Sequence, residues 1–169
     1  MDTPDIVIVE PDSAALFDAT REIFQEYADG LGVDLCFQGF DAELAGLPGD
    51  YAPPYGVLLL ALVDGQVAGC GAMRPLADVD YASACEMKRL YVRRAFRRFG
   101  LGRQLACALV DRALQAGHGV MLLDTLNEME AARSLYESLG FEPCPPYYFN
   151  PIVGAHYLKA ELGAAATRY

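Results

Sequence analysis

The apolar positions of this chain repeat with two different periods, and the places where the period changes predict its elements. Residues 6–10, IVIVE, form a short β-branched run that reads as a strand. Ala15, Leu16, Ala19, Ile23, Phe24 and Tyr27 then recur at spacings of three and four, which predicts an amphipathic helix. Ser13 or Asp12 would cap its start, and its end falls near Gly30 or Gly32. Residues 41–56 predict a short helix and a loop rich in Pro and Gly, where Tyr51 and Tyr55 are candidates for a substrate pocket. Residues 56–76 read as two strands joined at Asp64-Gly65, a dipeptide that tolerates positive φ and so fits a tight hairpin. After residues 77–83, the segment CEMKRLYV at 85–92 predicts another strand. Leu101, Leu105, Leu109 and Ala113, with Ala106, Val110 and Leu114, make one stripe of a helix that Gly117 ends. VMLLDT at 120–125 is a short buried strand. Ala132, Leu135, Tyr136 and Leu139 restore the helical period up to Gly140. A last strand is expected in HYLKAEL at 156–162, beyond the turn-rich PCPPYYFNP, and the final residues are expected to fray. This order predicts an α/β (α+β) fold with a mixed central sheet and helices on both faces.

Composition narrows the classes. The 169 residues, 53% of them hydrophobic, suffice for one domain with a sizeable core, and no repeat or linker divides residues 1–169. No apolar run reaches eighteen residues, and MDTPDIVIVE lacks the basic and apolar regions of a signal peptide, so a cytoplasmic protein without a membrane partner is expected. Five cysteines without a C-x-x-C pair and two distant histidines predict neither a disulfide framework nor a metal site.

Charge changes the picture more. The formal net charge is -10, which opposes general nucleic-acid binding. Yet seven of the thirteen Lys and Arg residues lie between Lys88 and Arg103, in a segment with no Asp or Glu. A local basic patch on an acidic body suits one small polyanion. Its centre is RRAFRRFGLGRQ, residues 93–104, where a strand passes into a helix through Gly100 and Gly102. The first N–H groups of such a helix lack intrahelical partners and carry the positive end of the dipole, so this turn predicts a phosphate or pyrophosphate site. The P-loop pattern and the G-x-G-x-x-G fingerprint are both absent, since Leu105 stands where the third glycine would fall.

Arg97-Arg98-Phe99-Gly100-Leu101-Gly102 resembles the [RQ]-x-x-G-x-[GA] acyl-CoA signature of the GNAT N-acetyltransferase superfamily. Residues 86–92, from Glu86 to Val92, look like that family's central strand, and Ala132, Leu135, Tyr136, Gly140 and Phe141 look like its A-x-x-L-Y-x-x-x-G-F helix. The resemblance implies the family's fold and transfer of acetyl from acetyl-CoA to an amine. It implies that the backbone at Leu90, Tyr91 and Val92 pairs with the pantetheine arm, and that the amides from Arg98 through Phe99, Gly100, Leu101 and Gly102 to Arg103 take the pyrophosphate, with Arg97 adding charge. It further implies an N–H at Leu90 that polarises the thioester carbonyl and stabilises the oxyanion. Glu86 is the candidate base for the ammonium acceptor, against a plainer role as a strand carboxylate paired with Lys88 or Arg89. Tyr136 is the candidate proton donor to the departing thiolate. The chain departs from the resemblance at Met129, where many members carry a cofactor-contacting Asn; Asn127 is nearby. Cys85 adjoins Glu86, but without a neighbouring histidine it reads as a packed side chain. The expected acceptor is a small-molecule amine. A protein N-terminus or lysine, or an inactive CoA-binding module, are the alternatives, and a homodimer is compatible with the sequence.

Overall fold

The computed structural model describes residues 3–31, 39–126, 130–148, 150, 152 and 154–162. Strand β1 (Ile6–Val9) leads into helix α1 (Ala14–Leu31), then α2 (Phe40–Ala45) and a 3-10 turn at Gly49–Tyr51. Strands β2 (Val57–Val63), β3 (Gln66–Leu76) and β4 (Ala84–Val92) follow, then a 3-10 segment at Arg94–Phe99 and helix α3 (Leu101–Gln115). The chain closes with β5 (Val120–Leu126), α4 (Glu130–Ser138), β6 (Glu142–Pro143) and β7 (Ala155–Glu161). Among the described residues the strands form one sheet in the order β1-β2-β3-β4-β5-β7-β6, antiparallel except between β4 and β5. This is the mixed sheet that the periodicity predicts.

Both faces of the sheet are covered, which explains why β2 is apolar at nearly every position. Val57, Leu59, Ala61 and Val63 pack with Leu101, Leu105, Leu109 and Ala113 of α3 and with Tyr136 and Leu139 of α4. Leu58 and Leu60 turn the other way, into a second core with Ile23 and Phe24 of α1 and Phe40 of α2. The predicted stripes of α3 and α4 are therefore the buried ones. Asp64 and Gly65 both take positive φ, 50° and 82°, as the hairpin requires. Ser13 accepts a hydrogen bond from the N–H of Leu16 at 3.2 Å and caps α1. α3 ends where Gly117 turns to φ 89° and the N–H of His118 donates to the Ala113 carbonyl. Tyr51 is 3% exposed and meets Phe24 edge-on, and it lines a pocket together with Glu43, Asp50 and Arg74. Tyr55 is exposed.

Two irregularities in the sheet position the site. β4 and β5 pair with each other only over Ala84–Glu86 and Val120–Leu122; beyond them β4 runs on to Val92 beside β3 and β5 to Leu126 beside β7, without pairing to one another. The strands diverge there. On the other edge of β4, Cys70 pairs with Tyr91 and Ala72 with Lys88, so Gly71 alone stands opposite both Arg89 and Leu90. This bulge puts Arg89 at φ 60°, a backbone conformation that costs a non-glycine residue about 1–2 kcal/mol. Gly71 is needed for packing, because a Cβ there would lie 2.9 Å from Leu109 Cδ1.

Candidate active site

The basic segment folds into an uncapped helix start. Gly100 takes φ 69° and ψ 24°, no side chain caps the N-terminus of α3, and its first turn holds no acidic residue. The amides there keep the positive end of the helix dipole open to an anion. Gly100 is required by its left-handed backbone. Gly102 is not required by packing, since a Cβ there would only touch Leu135 Cδ2 at 3.6 Å and Val92 Cγ2 at 3.9 Å. Leu101 is buried and anchors the turn. Around it, Arg97 Nε donates to the Val92 carbonyl at 2.9 Å, Arg98 lies 4.6 Å over the Phe99 ring, and Arg103 donates to Ser138 Oγ at 2.8 Å. The cluster is thus held by short-range contacts that leave its charge uncompensated by any carboxylate in the segment.

A cleft lies where β4 and β5 diverge. Leu90, Thr125 and Tyr136 line it, with Lys88 and Asp124 from the two strands. Leu90 stands at the bulge, where the β3–β4 register skips it. Tyr91 points to the α1 side: its hydroxyl donates to Glu26 at 2.8 Å, and its ring meets Tyr27 and, from above, the Arg97 guanidinium. Val92 packs against the core on the α3 side. Tyr136 sits on Phe141 edge-on, and burial pushes its phenol well above the ordinary value, so it stays protonated. The expected contact at Met129 or Asn127 lies outside the described residues.

A second, wider cleft of about 650 Å3 opens on the other side of Lys88. Glu86 is 1% exposed at its floor. Arg74 Nε donates to its Oε1 at 2.9 Å, and the Tyr147 hydroxyl donates to Oε2 at 2.6 Å. The reason is register, because Arg74 lies directly opposite Glu86 across the β3–β4 ladder. Asp124 accepts from the hydroxyl of Tyr148 at 2.5 Å and from Asn150 at 3.2 Å. Burial pushes the Asp124 carboxyl up, against the pull of the Tyr148 hydroxyl and Lys88. Burial also draws the Lys88 ammonium down, against the attraction of Glu86. Arg89 faces away and forms a two-pronged pair with Glu43 of α2, at 2.9 and 2.8 Å. Cys85 is buried and its thiol is pushed up to about 12, which leaves no thiolate nucleophile at neutral pH.

The structure thus places Glu86 on the wider cleft and Leu90 and Tyr136 on the narrower one, with Lys88 of β4 lining both. Arg74 and Asp124 were not singled out by their pattern; Lys88 was named only as a possible partner of Glu86, and Tyr147 and Tyr148 only through their loop, 145–151, which with 47–56 is where the sequence places candidate acceptor contacts. The signal was present for Asp124, the lone charge in an otherwise apolar strand, and for the two tyrosines, in a loop near the cleft.

A family model described as an acetyltransferase (GNAT) domain matches residues 54–143. An N-acetyltransferase of Schizosaccharomyces pombe is 39% identical over 146 residues, covering 86% of this chain and 88% of its own. The Escherichia coli N-acetyltransferase YjgM is 30% identical over 131 residues, 78% of this chain and 77% of that one. Among solved structures, a GNAT-family acetyltransferase of Staphylococcus aureus superposes with a TM-score of 0.75 at 16% identity, covering 94% of this chain and 99% of that one. A Salmonella typhimurium structure containing acetyl-CoA superposes with a TM-score of 0.69 at 23% identity, covering 97% and 98%. The chain belongs to the GNAT family and is an acetyl-CoA-dependent acetyltransferase.

Proposed function

We propose that this single-domain protein transfers acetyl from acetyl-CoA to the primary amine of a small molecule, by direct attack, in the cytoplasm. The observation that carries the reading is that β4, which diverges from β5, leads along the chain into the uncapped, left-handed turn at Gly100. The residues fit the cosubstrate: an open strand edge for the amides of its arm, and a helix start without acid or cap for its pyrophosphate. In this reading Leu90, Tyr91 and Val92 hold the pantetheine arm. Arg97 to Arg103, with Phe99, Gly100, Leu101 and Gly102 between them, hold the pyrophosphate. Acetyl-CoA supplies the activated acyl group.

The remaining steps belong to the chain. The Leu90 N–H donates to the carbonyl oxygen on which negative charge develops, an effect worth about 3–4 kcal/mol where such a donor has been removed. The acceptor enters as an ammonium and must lose a proton before it attacks. Both oxygens of Glu86 are already bonded, so the proton reaches Glu86 through the Tyr147 hydroxyl, which lies on the cleft wall and donates to Oε2. Tyr136, kept protonated by burial, gives a proton to the departing sulfur. An acceptor cleft of about 650 Å3 lies in the range of small-molecule pockets, which supports a small amine over a protein segment.

The test is release of CoA thiol from acetyl-CoA across a library of small amines, with N-terminal and lysine peptides alongside. Turnover on small amines is expected. Turnover confined to peptides would overturn the acceptor class, and none on any amine would overturn amine transfer.

A further inference from the structure

Transfer of acetyl to an ammonium takes two protons from its nitrogen, and the steps above account for one. The first leaves before attack, through Tyr147 to Glu86. Attack by the neutral amine makes the nitrogen cationic again, and a second proton must leave before the product is a neutral amide. Asp124 is a half-buried carboxylate that none of those steps uses. It lines the narrower cleft with Leu90 and Tyr136, on the strand across the divergence from Leu90, whereas Glu86 lines the wider one. The last pair of the β4–β5 ladder is Glu86 with Leu122, so Asp124 stands two residues past it, on the same face of the sheet as Glu86. Among the described residues, the hydrogen bonds that it accepts come from the Tyr148 hydroxyl at 2.5 Å and from Asn150 at 3.2 Å, and both end on Oδ2. They fix the carboxylate and leave Oδ1 as the oxygen for a substrate N–H. Burial raises its pKa from the ordinary carboxylate value, which makes it a stronger base.

We propose that Asp124 is a second catalytic proton acceptor, whose Oδ1 takes the proton that the acceptor nitrogen sheds once it is bonded to the acetyl carbon. This rests on the amine-acetylation reading above and completes its proton count. The C–N bond forms and the C–S bond breaks, and the sulfur leaves with the electron pair of that bond and gains a proton from Tyr136. One proton thus arrives at Asp124 while one leaves Tyr136. Both groups line the same cleft, so the return of that proton from Asp124 to Tyr136 restores both. The proton on Glu86 passes to water and is the one that the overall reaction releases.

The experiment places a cation beside the sulfur without turnover. S-(2-aminoethyl)-CoA and S-propyl-CoA have the same length and differ by an ammonium in place of a methyl group, one bond beyond the place of the attacking nitrogen. Isothermal titration calorimetry measures both against the wild type, Asp124→Asn and Glu86→Gln. The wild type and Glu86→Gln are expected to bind the ammonium form about tenfold more tightly or better, and Asp124→Asn to bind the two alike within about twofold. In parallel, kcat for primary alkylamines is expected to fall about tenfold or more in Asp124→Asn, with acetyl-CoA affinity held within about twofold. Asparagine can still accept the bonds from Tyr148 and Asn150, so the variant is expected to fold; should it not, the wild-type pair decides alone. Equal binding of the two conjugates by the wild type overturns the proposal, and so does a preference that survives in Asp124→Asn. Turnover on amines without the preference removes the role of Asp124 alone, whereas the preference without turnover on any amine overturns amine transfer and the proton role with it.

Discussion

Replacing Glu43 with glutamine probes the tie between helix α2 and the bulge in β4. The Arg89 side chain is 2% exposed and that of Glu43 14%, and two hydrogen bonds of 2.9 and 2.8 Å join them. Burial alone would lower the pKa of Arg89, and the bond from Glu43, with the charges of Tyr51 and Glu43, raises it above the ordinary 12.5. Phe40 also contributes, with its ring 5.1 Å from the guanidinium. Glu43→Gln keeps the shape of the side chain but removes its charge and turns one acceptor into a donor facing the guanidinium. A buried cation stripped of its partner costs about 3–5 kcal/mol. For a chain of this length each kcal/mol lowers Tm by about 2–4 °C, so a fall of about 10 °C is expected by differential scanning calorimetry. The double variant Glu43→Gln with Arg89→Met should recover part of that loss, because it removes the orphaned charge. Because Arg89 belongs to the bulge that carries Leu90, kcat should fall with stability. A loss below 1 kcal/mol, or strictly additive effects in the double variant, would refute the argument.

Three further outcomes follow from particular contacts. Gly71→Ala forces a Cβ to within 2.9 Å of Leu109 Cδ1 and 3.4 Å of Leu90 Cδ1, and is expected to destabilise the protein by about 1–3 kcal/mol in a urea titration; neutrality would mean that α3 can move away. Tyr136→Phe keeps the ring against Phe141 and removes the hydroxyl, so kcat is expected to fall at least tenfold with acetyl-CoA affinity within twofold; the reverse split would remove its acid role. Lys88 has a folded-state pKa below the ordinary 10.5, through burial. Between the two values the unfolded chain binds more protons at this site, so Lys88 contributes a rise of stability with pH that ends at about pH 10.5. Lys88→Met is expected to lower the slope of stability against pH in that window, measured by chemical denaturation, and an unchanged slope would contradict the shift.

The helices and hairpin were legible because their signals are local. The stripe of α3 and the Asp64-Gly65 turn each need only a few consecutive residues to declare themselves. The turn into α3 was legible for the same reason, with Gly100 at the positive φ that its place requires. What escaped the sequence depends on register and on long-range approach. Glu86 could be named, but not its partner, because Arg74 reaches it across a ladder whose pairing no local pattern specifies. The bulge at Arg89 and Leu90 is likewise a property of two strands together. Tyr147 and Tyr148 come to Glu86 and Asp124 from loops 61 and 24 residues away. β6 is two residues long and has no period to detect.

The central claim is that the start of α3 binds the pyrophosphate of acetyl-CoA while β4 holds its arm. Gly102→Asp tests it most directly. Packing leaves room for the Cβ, and an acidic residue in the first turn of a helix favours folding, so the variant is expected to be as stable as the wild type. Its carboxylate would nevertheless stand where the pyrophosphate must lie. Measured by isothermal titration calorimetry, acetyl-CoA should bind the variant about a hundredfold more weakly, a loss of about 2.7 kcal/mol, whereas S-acetylpantetheine, which lacks the pyrophosphate, should bind both proteins alike. Equal affinity of the two proteins for acetyl-CoA would contradict the account.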